Sequence, residues 1–268
     1  TIFCDDGNTK YKRLVVMKNM KEEIKDSNEL NKSSRIKNDI HLVVLIPAYN
    51  EEKTIGDVIK SVPRDCARKV EVLVVNDGSK DRTKEVALAA GADRVISHNT
   101  NKGLGVTFRD GIDEGLKMGA DIIVNIDADG QFDTKDIPRL LRPILDGKAD
   151  MVTCSRFKDP KLTPKMPKIK IFGNKFFASI LNLLLGKNYA DTQCGFRAYS
   201  KEAALNLVLF GKFTYTQEVF IDLVKKGFRI VEVPCVVRGE REGKSRVVKN
   251  VFSYGLKVAL IILRSMRD

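Results

Sequence analysis

Tryptophan is absent from the 268-residue chain, and histidine occurs only at His41 and His98. Without tryptophan, and with its other aromatics at ordinary core frequency, the chain has few stacking platforms for single-stranded nucleic acid. The two histidines have no histidine, cysteine or carboxylate at ligand spacing, which excludes a histidine metal cage and makes both read as structural. Cysteine is sparse as well: Cys4, Cys66, Cys154, Cys194 and Cys235 are scattered with no CxxC pair. That leaves out zinc ribbons and CxxC redox chemistry, and it reads as reduced thiols of a cytosolic protein. No run reaches the ~20 apolar residues of a membrane span. No secretory leader, internal repeat or low-complexity tract is visible.

What is present is a globular chain. With 43% apolar and 31% charged residues, it has enough apolar sequence for a sizeable core. Its length suits one large domain or two small ones. Lysine and arginine outnumber aspartate and glutamate 47 to 35, a net +12 that suggests an anionic partner. The excess is localised. Residues 40–155 are net −3, whereas 156–187 and 225–268 are each net +7.

Residues 1–39 alternate charge with weak periodicity and read as a flexible or loosely helical extension. From residue 40, buried-strand runs (41–47, 70–75, 94–97, 121–126, 150–155) alternate with amphipathic helices (54–62, 83–90, 103–118, 136–145). This order implies an α/β fold with a mostly parallel sheet flanked by helices, whose ligands bind at the carboxyl ends of the strands. Later segments read as an apolar helix at 169–185, a strand at 195–199, helices at 202–208 and 216–226, a strand at 230–237 broken by Pro234, and a closing apolar helix at 247–263.

Polar residues gather just past the strand ends. The groups are Tyr49-Asn50-Glu51-Glu52, then Asn76-Asp77-Gly78-Ser79-Lys80-Asp81, then Asp127-Ala128-Asp129-Gly130-Gln131. Ser79 and Asp81 are equally good as helix caps. Asp127 and Asp129 are different: two carboxylates at i, i+2 after a buried strand repel each other unless a cation lies between them. Oxygen ligands suit Mg²⁺ or Mn²⁺, which usually also binds substrate phosphates, and Gln131 can add a neutral oxygen.

The ordered set Pro47-Ala48-Tyr49-Asn50-Glu51, Asn76-Asp77-Gly78-Ser79 and Asp127-Ala128-Asp129-Gly130-Gln131 resembles the family-2 inverting glycosyltransferases of the GT-A fold. Within them it resembles the dolichyl-phosphate and polyprenyl-phosphate mannose and glucose synthases, over about residues 40–250. The resemblance implies that Pro47, Tyr49, Glu51 and Asp77 hold the nucleotide base and ribose. It implies that Asp127, Asp129 and Gln131 hold Mg²⁺ or Mn²⁺ on the diphosphate, with Asp129 in the chemistry. Asn76 departs from the family, where many relatives have a second aspartate, so the nucleotide stays open between GDP and UDP. Ser155-Arg156 resembles the family's Ser-Arg, with the arginine near the phosphates. The 191–197 segment (DTQCGFR) resembles the family's DxxCGFR and implies Asp191 as a catalytic residue near the acceptor; Phe196 reads as core and Arg197 as an ion-pair partner. Residues 241–246 (REGKSR) resemble a mobile basic loop, which brings Arg241 and Lys244 to the donor and Ser245 and Arg246 to the acceptor phosphate. Asn101-Lys102-Gly103-Leu104-Gly105 resembles the NxGxG segment, with Lys102 or Gly103 at the donor. Cys154 and Cys194 read as small hydrophobes.

A polyprenyl phosphate acceptor explains the apolar helix at 169–185, which begins among Lys165, Lys168, Lys170 and Lys175. A helix of this kind lies in the interface with its lysines on anionic headgroups, Lys168 and Lys170 among them. The expected organisation is an extension (1–39), a GT-A domain (40–246) with donor half 40–155 and acceptor half 156–246, and an amphipathic helix (247–268). The expected activity is hexose transfer from a nucleoside diphosphate sugar to polyprenyl phosphate, by a peripheral protein on the cytoplasmic side of the cell or ER-type membrane. A saccharide acceptor is the second reading. A nucleic-acid or anionic-surface binder is the third, and it does not explain carboxylates at the strand ends.

Overall fold

The computed structural model describes residues 39–164, 166–211 and 215–238, leaving aside the side chains of Lys168 and Lys170. The chain divides into two units, Thr1–Asp39 and Ile40–Asp268, and apart from Asp39 the described residues all belong to the second. The proposed loop 241–246 and helix 247–263 lie outside the described residues, as does the rest of the extension.

In chain order the elements are β1 (His41–Ala48), α1 (Ile55–Ser61), β2 (Lys69–Asn76), α2 (Thr83–Ala89), β3 (Arg94–Ser97), α3 (Leu104–Lys117), β4 (Ile122–Asn125), α4 (Ile137–Leu145), β5 (Met151–Ser155), α5 (Lys168–Leu185), β6 (Arg197–Ser200), α6 (Lys201–Leu205), α7 (Thr216–Lys225) and β7 (Ile230–Pro234). The strands form one sheet in the order β3-β2-β1-β4-β6-β5-β7. All eight residues of β1 are buried, as expected for a central strand with helices on both faces. Its side chains alternate between two cores. Leu42, Val44 and Ile46 pack with Ile55, Val58 and Ile59 of α1 and with Leu140 of α4. Val43 and Leu45 pack with Phe108 and Ile112 of α3 and with Val219 and Phe220 of α7. Each such side chain contributes about 1.5–3 kcal/mol on leaving water. The second core is tight enough to demand glycine at 111, where a Cβ would lie 2.3 Å from Leu45 Cδ1.

β1, β2, β3 and β4 are mutually parallel, as are β5 and β7. β6 runs antiparallel to both β4 and β5, so the sheet is mixed. The connection through α5 therefore leaves β5 and enters β6 at the same edge of the sheet. Ser200 caps α6 by accepting from Ala203 N at 3.1 Å, and the helix ends at Leu205, three residues short of the span its periodicity suggests.

Two expectations are corrected. Cys154 and Cys235 are not separate thiols; they form a disulfide with Cα atoms 5.6 Å apart, because β5 and β7 are neighbours and the cysteines stand at their carboxyl ends. Arg197 is not an ion-pair partner among the described residues. It is fully buried, donates to Thr192 O at 3.1 Å, and lies over the Phe220 and Tyr215 rings at 4.9 and 5.8 Å. Aromatic faces and a carbonyl stand in for a carboxylate there.

Candidate functional site

Because six strands point one way, their carboxyl ends share one edge of the sheet, and the reversed β6 begins there. Residues 49–54, 77–83, 98–103, 126–132, 156 and 191–196 are thereby gathered along one rim, where α/β sheets bind ligands.

At the β1–β2 end, two loops are stitched together. Asp77 N donates to Ala48 O at 2.8 Å. Asn50 adopts φ 54°, a conformation asparagine tolerates. Its N–H donates to Ser79 Oγ at 2.9 Å, and its Oδ1 accepts from Lys80 N at 2.7 Å. Glu51 N donates to Thr83 Oγ1 at 2.8 Å, while Asp81 Oδ1 accepts from Thr83 N at 3.1 Å. Ser79 and Asp81 therefore serve loop geometry. Tyr49 and Glu51 stay half-buried on the rim, and Pro47 is buried in β1 opposite Val75. The Asp77 carboxylate, 3% exposed, accepts from Lys102 N (2.8 Å) and Gly103 N (3.0 Å) and faces His98 Nδ1 (2.7 Å). The Lys102 side chain is exposed.

The acidic turn follows β4. Ala128 is 3% exposed and packs into the core, while Asp127 and Asp129 on either side of it are partly exposed. Thr54 Oγ1 donates to Ala128 O at 2.7 Å, and Asp129 Oδ1 accepts from Gln131 N at 3.1 Å. Behind Asp127, buried Asn125 donates to Gly195 O and to the Tyr215 hydroxyl, both at 2.8 Å. A Cβ on Gly195 would lie 3.1 Å from both Asp127 carboxylate oxygens and 3.3 Å from the Tyr215 hydroxyl. Burial, and next the Asp127 carboxylate, push the Tyr215 phenol well up. Among the described residues no three His, Cys, Asp or Glu side chains converge as a cage. Two partly exposed carboxylates with a neutral amide beyond fit a divalent cation that completes its shell with substrate phosphate and water.

On the other flank, Arg156 and Asp191 form a bidentate pair, Nε to Oδ2 at 2.6 Å and NH2 to Oδ1 at 2.9 Å. Asp191 also accepts from Arg156 N at 3.2 Å and Gln193 N at 3.1 Å. Burial alone would raise the Asp191 carboxyl, but the Arg156 guanidinium and these N–H groups bring it below the usual range. Burial opposes the Arg156 charge; Asp191 overcomes it, and Cys194 and Asp127 nearby add to the rise. Glu232 of β7 seats the segment by accepting from Ala190 N (2.9 Å) and Asp191 N (2.8 Å). Cys194, buried beside Asp191, has its thiol pushed up to about 12 and is no nucleophile.

The structure therefore brings Tyr49, Glu51, Asp77, Lys102, Asp127, Asp129, Gln131, Arg156 and Asp191 to one rim. Lys168 and Lys170 fall in the first turn of α5. Arg241, Lys244, Ser245 and Arg246 lie outside the described residues. The chain is nevertheless fixed just before them: Phe132 bridges Val237, Arg238 N donates to Gln131 O at 2.7 Å, and Arg238 pairs with Asp133. Sequence reasoning missed Asn125, Tyr215, Glu232 and Asp110. Glu232, a lone charge inside the apolar run 230–237, carried a visible signal; the others did not. Both histidines do have carboxylate partners, from 12 to 30 positions away, beyond the reach of local spacing.

A family model described as glycosyl transferase family 2 matches residues 43–207. The chain is 34% identical over 212 residues to the UDP-N-acetylglucosamine–dolichyl-phosphate N-acetylglucosaminyltransferase of Methanococcus voltae, covering 72% of this chain and 84% of that one. It is 33% identical over 237 residues to the polyprenol monophosphomannose synthase of Mycolicibacterium smegmatis, covering 84% and 88%. Among solved structures, glucosyl-3-phosphoglycerate synthase from Mycobacterium tuberculosis, in complex with Mn²⁺, uridine diphosphate and glucosyl-3-phosphoglycerate, matches with a TM-score of 0.69 at 24% identity, over 87% of this chain and 82% of that one. That likeness establishes the GT-A fold.

Proposed function

The chain belongs to glycosyl transferase family 2, and from that premise we propose that it moves a hexose from a nucleoside diphosphate sugar to the phosphate of a dolichyl or other polyprenyl carrier at a membrane surface. The observation that carries the reading is the pairing, on one rim, of an acidic turn with two partly exposed carboxylates and an arginine locked by its own buried aspartate. One group suits a cation-bound diphosphate, the other a phosphate oxyanion.

In this reading an acceptor phosphate oxygen attacks the anomeric carbon in line. The bond from that carbon to the donor phosphate oxygen breaks as the new one forms, the carbon inverts, and the nucleoside diphosphate leaves. The acceptor phosphate is already ionised at neutral pH and needs no strong base. Asp191, with its oxygens engaged by Arg156 and Gln193, is an orienting group that aims the guanidinium at phosphate. Asp127 and Asp129, with Gln131, would hold Mg²⁺ or Mn²⁺, which supplies charge neutralisation for the departing diphosphate. Tyr49, Glu51 and Asp77 receive the nucleoside. Arg238, the last described residue, donates its N–H to Gln131 O at the edge of the acidic turn.

The lipid acceptor is supported by α5. Ile169, Phe172, Phe176 and Leu183 are 63, 68, 51 and 85% exposed and recur on one helical face. Ala178 and Leu181 are buried on the opposite face. A helix apolar on both sides, entered through Lys158, Lys161 and the lysines of its first turn, suits an anionic bilayer surface. None of the described helices is long and apolar enough to cross a membrane. We place the protein peripherally on the cytoplasmic face.

The test is transfer of label from a panel of GDP- and UDP-sugars into the organic phase with short-chain polyprenyl phosphate and Mg²⁺ or Mn²⁺. Label appears with one donor, requires the cation and is lost in Asp129→Ala. No organic-phase label from protein that binds nucleotide sugar refutes the lipid acceptor and selects a saccharide one.

A further inference from the structure

His98 is held differently from an ordinary core histidine. It follows β3 directly, and its side chain is 7% exposed. Its backbone N–H donates to Asn76 O at 2.9 Å. Its ring lies between two carboxylates, Nδ1 2.7 Å from Asp77 Oδ1 and Nε2 2.8 Å from Asp110 Oδ2. An ionised carboxylate only accepts, so a ring N–H on either side of His98 meets a partner. Asp110 belongs to α3, and Lys102 Nζ stands 3.9 Å from it. The bridge therefore joins the end of β2, the end of β3 and the first half of α3.

The same corner is crowded by backbone. Gly78 has φ +69°, and a Cβ there would lie 2.6 Å from the Thr100 carbonyl carbon and 2.7 Å from Asn101 N. Gly103 has φ 95°. Asp77 organises this turn through three contacts: His98 and Lys102 N on Oδ1, Gly103 N on Oδ2. A carboxylate offers about four lone-pair positions, so one position, on Oδ2, is left for an outside donor.

We propose that His98 is a positioning residue for donor recognition: held from α3 by Asp110, it fixes the Asp77 carboxylate so that its remaining acceptor position meets a ribose hydroxyl or base N–H of the nucleoside. The proposal rests on the reading that Asp77 faces the nucleoside. Asp110 acts only through the ring, so the two residues form one unit.

The test is binding of GDP and UDP with Mn²⁺ by calorimetry, with donor KM and kcat, for wild type, His98→Gln, Asp110→Asn and the double variant. His98→Gln weakens nucleoside diphosphate binding about tenfold, as expected for loss of one charge-assisted hydrogen bond. Asp110→Asn weakens it by less, and the double variant is no weaker than His98→Gln, the non-additivity of a single unit. KM for donor rises while kcat at saturating donor stays within about twofold. His41→Gln is the control: its ring bridges Glu71 and the Gly119 carbonyl at the opposite end of β1. It lowers the melting temperature and leaves donor KM unchanged. Asp110, 38% exposed, keeps the test open should His98→Gln fail to fold. Unchanged binding in both single variants, or additive losses in the double, overturns the proposal. Wild-type protein that binds no nucleoside diphosphate overturns the donor reading itself.

Discussion

Replacing Asp191 with asparagine keeps its shape and removes its charge. The carboxylate side chain has no exposure and Arg156 has 18%, so the guanidinium recovers only part of its hydration when its partner is neutralised. Breaking a buried pair costs about 3–5 kcal/mol. The partial exposure of Arg156 puts Asp191→Asn at the low end, about 3 kcal/mol, or a fall of about 6–12 °C in Tm for a domain of this size. The loss depends on pH. The folded Asp191 carboxyl lies below its ordinary value, so its contribution is full above an unfolded pKa of about 3.9 and is lost as pH falls through the lower folded value. The gap between wild type and variant should therefore be constant from neutral pH to about pH 5 and close below about pH 4. Thermal melts followed by circular dichroism across that range measure it. A variant melting within about 2 °C of wild type at pH 7 would refute the clamp. If that variant had also lost turnover, Asp191 would act in the reaction through more than the stability of its pair with Arg156.

Two further outcomes arise from contacts around the rim and on α5. Gly195→Ala puts a methyl group 3.1 Å from both Asp127 oxygens, so Asp127 must give by a few tenths of an ångström. Mn²⁺ affinity, read by electron paramagnetic resonance with nucleoside diphosphate present, should fall several-fold for about 1–2 kcal/mol of stability; unchanged Mn²⁺ affinity would contradict the packing. Phe172→Glu with Phe176→Glu should reduce partition onto phosphatidylglycerol vesicles by at least about tenfold, since each buried phenyl is worth about 1.5–3 kcal/mol; co-sedimentation equal to wild type would remove α5 from the membrane contact.

Local chemistry was readable from sequence wherever a short period governs it. The span 94–97 coincides with β3, and 41–47 with all but the last residue of β1, because β-branched runs flanked by polar or proline residues leave little choice. The acidic turn just past β4 was legible as well, with Ala128 buried between the partly exposed Asp127 and Asp129. What escaped was long-range. Nothing in the order of residues tells Arg156 that its guanidinium closes on Asp191, or Cys154 that it stands beside Cys235, 81 positions on. The first depends on β6 entering the sheet backwards between β4 and β5, the second on β7 pairing beside β5. The histidines show the same limit: their carboxylate partners come from neighbouring strands and a helix, so chain spacing made them look solitary.

The seat that Glu232 provides for Asp191 sets an order of events while the chain is being made. Residues 40–155 bring out β1 to β5 and the whole acidic turn first. Asp191 emerges next, but the carboxylate that holds its backbone lies 41 positions later. At about 5–20 residues per second, this is a wait of about 2–8 s. Throughout that interval the nascent protein carries a donor pocket without a seated arginine on its acceptor side. Competence for transfer thus arrives late and all at once, when β7 joins the edge of the sheet.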